Sequence, residues 1–279
     1  MQSDIQRMAQ AAALVLLLAT ATALAAQKNP QQLVQETIHN ELHANPHQNY
    51  WMYRDSDTES GTTKVSRVVE TPACWFRWLL SIDGQPLTQA QEQQQQAKID
   101  KLVNDEAARQ KNRQAIDQDG QKAENLMKML PDAFLYTDDG EQDGNIRLKF
   151  RPNPSFDPPT HAAKVFHAMQ GTLLINKQEK RLAGISGTLM QDVDFGWGIL
   201  GKLYKGGTFK VAQSRLAPND WEVTLLDVHI GGRALFFHTI SEQQHEVKTE
   251  FQPVPANIAL AQAAEMAERG NENASATAK

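Results

Sequence analysis

An α+β fold is what this sequence predicts: one large, curved antiparallel sheet, with a helix near each end of the chain and a helical insert between strands. Three observations carry that expectation. From Gly171 to Pro253 the chain is a relay of strand-like segments joined by Gly-Gly, Asn-Asp and other turn residues, which tolerate the positive φ of tight hairpins. Counting the earlier segments, about eleven strands are expected, and none alternates with helices as a parallel sheet requires. Several strands also carry large side chains on both faces, so both faces of the sheet need cover.

The chain has 279 residues, 41% of them apolar, which is enough for a sizeable core. Its net charge of −5, with Lys and Arg scattered among acids, provides no coherent cationic face. That argues against nucleic acid as a partner and against polybasic docking on anionic lipid.

The elements follow in order. Arg7, the apolar run Ala11–Ala19 and the small residues Ala23-Leu24-Ala25 read as a secretory signal peptide over residues 1–26, leaving no transmembrane span after cleavage. This places the mature protein in the periplasm or outside the cell. The competing reading is an uncleaved N-terminal membrane anchor, although the apolar core is short against the ~20 residues that a span requires. No cysteine lies near the cleavage site, which argues against a lipid anchor there. The one cysteine, Cys74, has no disulfide partner and reads as a buried, inert thiol.

A single domain is expected over 27–255. Asn29-Pro30 signals a helix start, and Leu33, Val34, Ile38 and Leu42 place an amphipathic helix over Pro30–Ala44. Strands are expected over Asn49–Arg54, Thr62–Thr71 and Cys74–Ile82, the last closed by Asp83-Gly84. Thr88 and Gln91 form a capping box that opens the Gln-rich insert 88–130, read as two helices with a break near Asp117–Gly120. Strands resume at Ala133–Thr137 and Asn145–Arg151. In the second, Ile146, Leu148 and Phe150 alternate with Arg147, Lys149 and Arg151, a clean period of two. A Pro-rich loop and a short helix over Thr160–Gln170 lead into Gly171–Asn176, Arg181–Phe195, Leu203–Leu216, Trp221–Ile230, Arg233–Ile240 and His245–Pro253. Ala256–Arg269 reads as a terminal helix, followed by a small, polar, disordered tail to residue 279.

Motifs that would announce chemistry fall short. Gly196–Lys202 begins like a phosphate-cradling loop, but Leu203 stands where a metal-holding hydroxyl is needed, and a strand follows in place of a helix. Asp194-Phe195-Gly196 has no kinase catalytic loop before it. Gly184–Gly187 is one residue short of a nucleophile elbow; its glycines read as a bend or bulge in a long strand. His39 and His43 have metal-ligand spacing, but Asn40 replaces the zincin glutamate and no third ligand is evident. Asn273-Ala274-Ser275 is a glycosylation sequon in the tail. No catalytic residues, cofactor site or metal site is assigned, and the chain does not read as an enzyme.

What remains is a surplus of aromatics. In Cys74–Ile82, Phe76 and Trp78 oppose Trp75 and Leu79; Trp51 and Tyr53 oppose Tyr50 and Met52. A curved sheet with such a palm is either filled by its own helices or left partly open as a hydrophobic cavity.

The order of elements (signal, amphipathic helix, strand pairs, helical insert, long meander) resembles the periplasmic lipoprotein-carrier superfamily, the half-barrels of the LolA, LolB and RseB type. The local likeness lies in Gly171-Thr-Leu-Leu-Ile-Asn176 followed by Arg181-Leu-Ala-Gly-Ile-Ser-Gly187, and in the strand opening Trp221-Glu-Val-Thr. The resemblance implies a half-barrel with a hollow for an acyl chain, and a lipid or a lipidated protein as partner. By strand alternation, the residues expected to line it are Trp51, Tyr53, Phe76, Trp78, Leu148, Phe150, Leu173, Ile175, Trp221, Val223 and Phe237. A one-residue slip in register would exchange them for the opposite set. The alternative is a structural or interaction protein of the cell envelope, with no ligand, that meets an envelope partner through the helical arm 88–130.

Overall fold

The computed structural model describes residues 29–44, 49–160, 162–195, 201–234 and 238–269. The signal-like segment, residues 196–200, Phe237 and the tail from 270 onward lie outside the described residues.

One antiparallel sheet dominates. Its strands are β1 (Tyr50–Glu59), β2 (Thr62–Glu70), β3 (Trp75–Ile82), β4 (Gln85–Pro86), β5 (Phe134–Gln142), β6 (Asn145–Pro152), β7 (Met169–Asn176), β8 (Leu182–Leu189), β9 (Val193–Phe195), β10 (Gly201–Leu203), β11 (Thr208–Ala217), β12 (Asp220–Ala234) and β13 (His238–Val254). The spatial order is β4-β3-β2-β1-β13-β12-β11-β8-β7-β6-β5, with the short pair β9–β10 attached to β12. The edge strands β4 and β5 do not pair with each other, so the sheet is open and not a barrel. The order explains how the late meander joins the early strands: β13, the longest strand, inserts between β12 and β1.

The helices are α1 (Pro30–His43), α2 (Gln89–Asn104), α3 (Glu106–Met127), α4 (Leu130–Ala133) and α5 (Leu260–Arg269), with a 3₁₀ turn at Ala162–Ala168. Asn29 caps α1 by accepting from the Gln31 N–H at 3.0 Å. The helix buries Leu33, Val34 and Ile38 against Phe134, Leu148, Phe150, Leu173 and Ile175 on β5–β7. Each such aliphatic side chain contributes ~1.5–3 kcal/mol of burial. At the other end of the sheet, α2 and α5 cover Met52, Val69 and Phe76. Small residues (Ala263, Ala264, Ala267) let α5 approach closely, and Arg67 donates to the carbonyls of Ala267 and Glu268 at its C-terminal end. Cys74 is buried in this cluster, and burial pushes its thiol pKa up.

Five expectations need correction. The insert breaks at Asp105, not at Asp117–Gly120: Asp105 caps α3 through the N–H groups of Ala107 and Ala108, while Arg109 caps the last carbonyls of α2. Gly120 is tolerated inside α3, where it costs only ~1 kcal/mol. Second, β1 continues past Arg54 to Glu59 and turns at Ser60-Gly61. Third, the strand expected over Arg181–Phe195 is two strands, β8 and β9. Its Gly187 marks a close approach instead of a bulge, because an added Cβ would lie 2.5 Å from the Phe209 ring. Fourth, Gly231-Gly232 is not a turn. β12 runs straight through it, and Gly232 is small because a Cβ there would sit 2.4 Å from the Lys202 carbonyl on β10. Ser241–Gln244, expected as the next turn, is likewise within β13.

Candidate functional site: the concave face

Register defines the faces. One row of paired residues crosses the sheet as Leu148, Leu173, Ile185, Val211, Leu226, Glu246, Asp57 and Lys64. Side chains in one row share a face. The row is apolar from β6 to β12 and charged from β13 to β2. Tyr53 and Asp55 share this face by alternation along β1.

The sheet bends toward that face. The β12–β13 ladder stops at Leu225↔Val247; beyond it β13 stays with β1, and β12 leaves with β11. Bulges fall on both sides of the split, between Met52 and Arg54 and between Ala212 and Gln213. The departing β11–β12 tip folds back over β1: Leu216 and Ala217 pack on Trp51, Tyr53 and Phe251. Asp220 accepts hydrogen bonds from Trp51 Nε1 (3.1 Å) and Asn49 Nδ2 (2.8 Å). From the other side, Arg181 donates to both oxygens of Glu41 on α1 (2.8 and 3.0 Å) and to the Asn219 carbonyl (3.1 Å). Glu179 accepts from Trp221 Nε1 (2.7 Å) and pairs with Arg215 (2.6 Å). A polar clasp thus closes one end of the concave face.

Two carboxylates lie inside this end. Glu70 is buried, its Oε2 accepting from the Trp51 N–H at 3.2 Å. Burial and then the charge of Glu222 push its pKa up to about 8. Glu222 is raised to about 7, by burial and then by Asp220. Tyr53 is pushed well above its ordinary value by burial and by Glu70, and the Lys248 ammonium lies 5.4 Å from its ring centre. Near neutral pH and below, this end of the face therefore carries protonated acids.

The expected lining residues that the structure describes divide among four places. Leu148, Phe150, Leu173 and Ile175 share the concave face but are covered by α1 and the 3₁₀ turn. Trp51 and Tyr53 are on the same face at the other end, packed under the β11–β12 tip. Phe76 and Trp78 are on the opposite face, under α2 and α5, because they pair in register with Val69 and Arg67 and so with Met52 and Arg54. Trp221 and Val223 are partly buried on β12 beyond the split. Phe237 lies outside the described residues. The set therefore does not line one hollow.

Between the two covered ends lie β11 and β12. On this face α1 and the 3₁₀ turn pack on β5–β8 and the β11–β12 tip packs on the start of β1, while α2 and α5 pack on the opposite face; Val211, Leu226 and Val228 are only partly buried, flanked by Ile185 and Phe209. Neither these floor residues nor Glu70, Glu222 and Arg181 were singled out from sequence. Two signals existed: Glu70 ends the apolar pair Val68-Val69, and Glu222 interrupts Trp221 and Val223.

Among the described residues no group of three or more His, Cys, Asp or Glu could hold a metal, and no helix is long and apolar enough to cross a membrane. His39 and His43 stack on each other, ring centres 4.0 Å apart. No known family model matches the chain, and no curated protein sequence is similar to it.

Proposed function

We propose that this is an exported cell-envelope binding protein, periplasmic or secreted, that holds the acyl chain of a lipid or lipidated protein on the concave face of its open sheet. The supporting observation is the apolar floor of Val211, Leu226 and Val228, which is only partly buried among the described residues and lies between the part of the face under α1 and the part under the β11–β12 tip. An antiparallel sheet tolerates one wet face when that face is polar; an apolar one invites an occupant. The binding place is narrower than the sequence suggests, since α1 fills the β5–β7 half. Each buried methylene is worth ~0.8 kcal/mol, so a chain of ~14–16 carbons yields on the order of 10 kcal/mol before ordering costs. No titratable chemistry is required. The likeness in element order to the lipoprotein-carrier half-barrels supports the same reading.

Native mass spectrometry of the protein purified from its own compartment tests this. The wild type should carry a lipid-sized adduct, and Val228→Lys, which places a charge on the floor, should lose it while keeping its β spectrum. An adduct-free wild type that takes up no fatty acid would refute the proposal.

A second reading draws on α3. All 22 of its residues escape full burial; Arg109, Asn112 and Arg113 tie its first half to α2, β3 and Pro72, and Met127 packs on the core at its end. A long polar helix with no fully buried residue suits an envelope-protein partner. Charge reversal at Lys111 and Lys122 should abolish partner capture and leave ligand binding intact; unchanged capture would reject it.

A further inference from the structure

From Trp75 to Leu80 the outer edge of β3 has no strand beside it, because β4 joins only at Ser81 and Ile82. Open edges invite unwanted pairing. The helical insert covers this one: the Trp75 N–H donates to Asn112 Oδ1 at 2.9 Å, and Arg113 donates to the Pro72 carbonyl at 3.0 Å. Between that cover and the concave-face side chains of β1–β3 remains a cleft of about 630 Å³, within the ~300–1,000 Å³ usual for small-molecule sites.

The lining is amphipathic. Trp75, Leu79 and Leu102 give it apolar walls; Lys64, Arg77, Lys98 and Lys101 face a single lining carboxylate, Asp57. This local excess of cations sits in a chain of net charge −5. The groove beside α3, by contrast, sets Glu106 and Asp117 against Arg109 and Arg113. Lys64, Lys98 and Lys101 make no ion pair with a described carboxylate, whereas Lys122 and Lys128, also in the insert, pair with Asp119 and Glu124. Arg77 is aimed from behind by Asp55, which is 1% exposed, pairs with the guanidinium and keeps Oδ1 unpartnered. Ser66, also buried, completes the wall. Holding three ammonium groups near one another without counter-ions costs free energy that an anion would recover.

We infer that this cleft is a binding site for an anionic amphiphile, whose carboxylate or phosphate meets Lys64, Lys98 and Lys101 while its hydrocarbon part lies on Trp75, Leu79 and Leu102. The site is separate from the β11–β12 floor and does not rest on the acyl-chain reading. Its occupant touches the helical insert, which gives that insert a reason to be basic on its inner side.

Trp75 provides the readout. Dodecanoate below its micelle concentration, at pH 8 and low salt, should change the fluorescence of the wild type and leave that of Trp75→Phe unchanged. Lys98→Glu with Lys101→Glu should weaken the Trp75 response about tenfold or more, as should raising the salt. Both lysines are exposed, so the fold should survive; Leu79→Ser, which removes apolar wall, should also weaken binding. Val228→Lys should leave this signal intact, which separates the cleft from the floor. Equal affinity for dodecyl maltoside would overturn the proposal by showing an uncharged apolar site. Inorganic phosphate binding as tightly as dodecanoate would overturn it by showing a head-only anion site, and no Trp75 response to dodecanoate would overturn it outright.

Discussion

Replacing Glu70 with Gln should make the protein more stable at pH 8 and change it little at pH 5. Glu70 is 7% exposed, and its carboxyl has moved from 4.5 to about 8 through burial and the neighbouring Glu222. The raised value means that the folded state holds a proton that the unfolded chain releases. Its contribution is therefore fully present below about pH 4.5 and is lost as pH rises toward 8. Each unit corresponds to about 1.36 kcal/mol, so the loss between pH 5 and 8 is on the order of 3 kcal/mol. Gln keeps an oxygen for the Trp51 N–H and cannot ionise. At about 2–4 °C per kcal/mol for a chain of this size, Glu70→Gln should melt roughly 6–12 °C above wild type at pH 8. Thermal unfolding followed by circular dichroism across pH 5–9 measures this. A variant that gains nothing at pH 8, or gains equally at pH 5, would refute the buried, protonated state assigned to Glu70.

Two further perturbations probe the architecture. Arg181→Ala removes the partner of Glu41 in a buried pair, and should cost about 3–5 kcal/mol by denaturant unfolding, with much of it restored in the Arg181→Ala, Glu41→Ala double variant. Gly232→Ala places a methyl against the Lys202 carbonyl, so β9–β10 should detach from β12; hydrogen exchange should then rise at Lys202 and Leu203 while β1–β3 stay protected.

Much of the fold is legible because its signals are local. Asn29-Pro30, the Thr88–Gln91 capping box and the alternation in β6 each lead to the element they announce. The misreadings come from residues whose role depends on a distant neighbour. Gly231-Gly232 looks like a turn from sequence, but Gly232 is small to admit β10, which is contributed from thirty positions earlier. Asp105 outcompetes Gly120 as a helix boundary, since a side chain that caps two N–H groups is stronger punctuation than a tolerated glycine. The expected hollow assumed that aromatics facing inward along their own strands face the same interior. Phe76 and Trp78 show why that fails: strand alternation gives two faces, and only inter-strand register says which face is shared with Leu148 and Leu173. The charged clasp was invisible for the same reason, because Glu41, Arg181, Asn219 and Asp220 meet only after the β11–β12 tip folds back.

That the concave floor of β11 and β12 takes an acyl chain can be read residue by residue with a spin-labelled fatty acid. Added to isotopically labelled protein, it should broaden the resonances of Val211, Leu226 and Val228 and spare those of Ala263, Ala264 and Ala267 in α5, on the opposite face. Broadening confined to the opposite face, or none along β11 and β12 at saturating ligand, would contradict the carrier reading and leave that floor without an occupant.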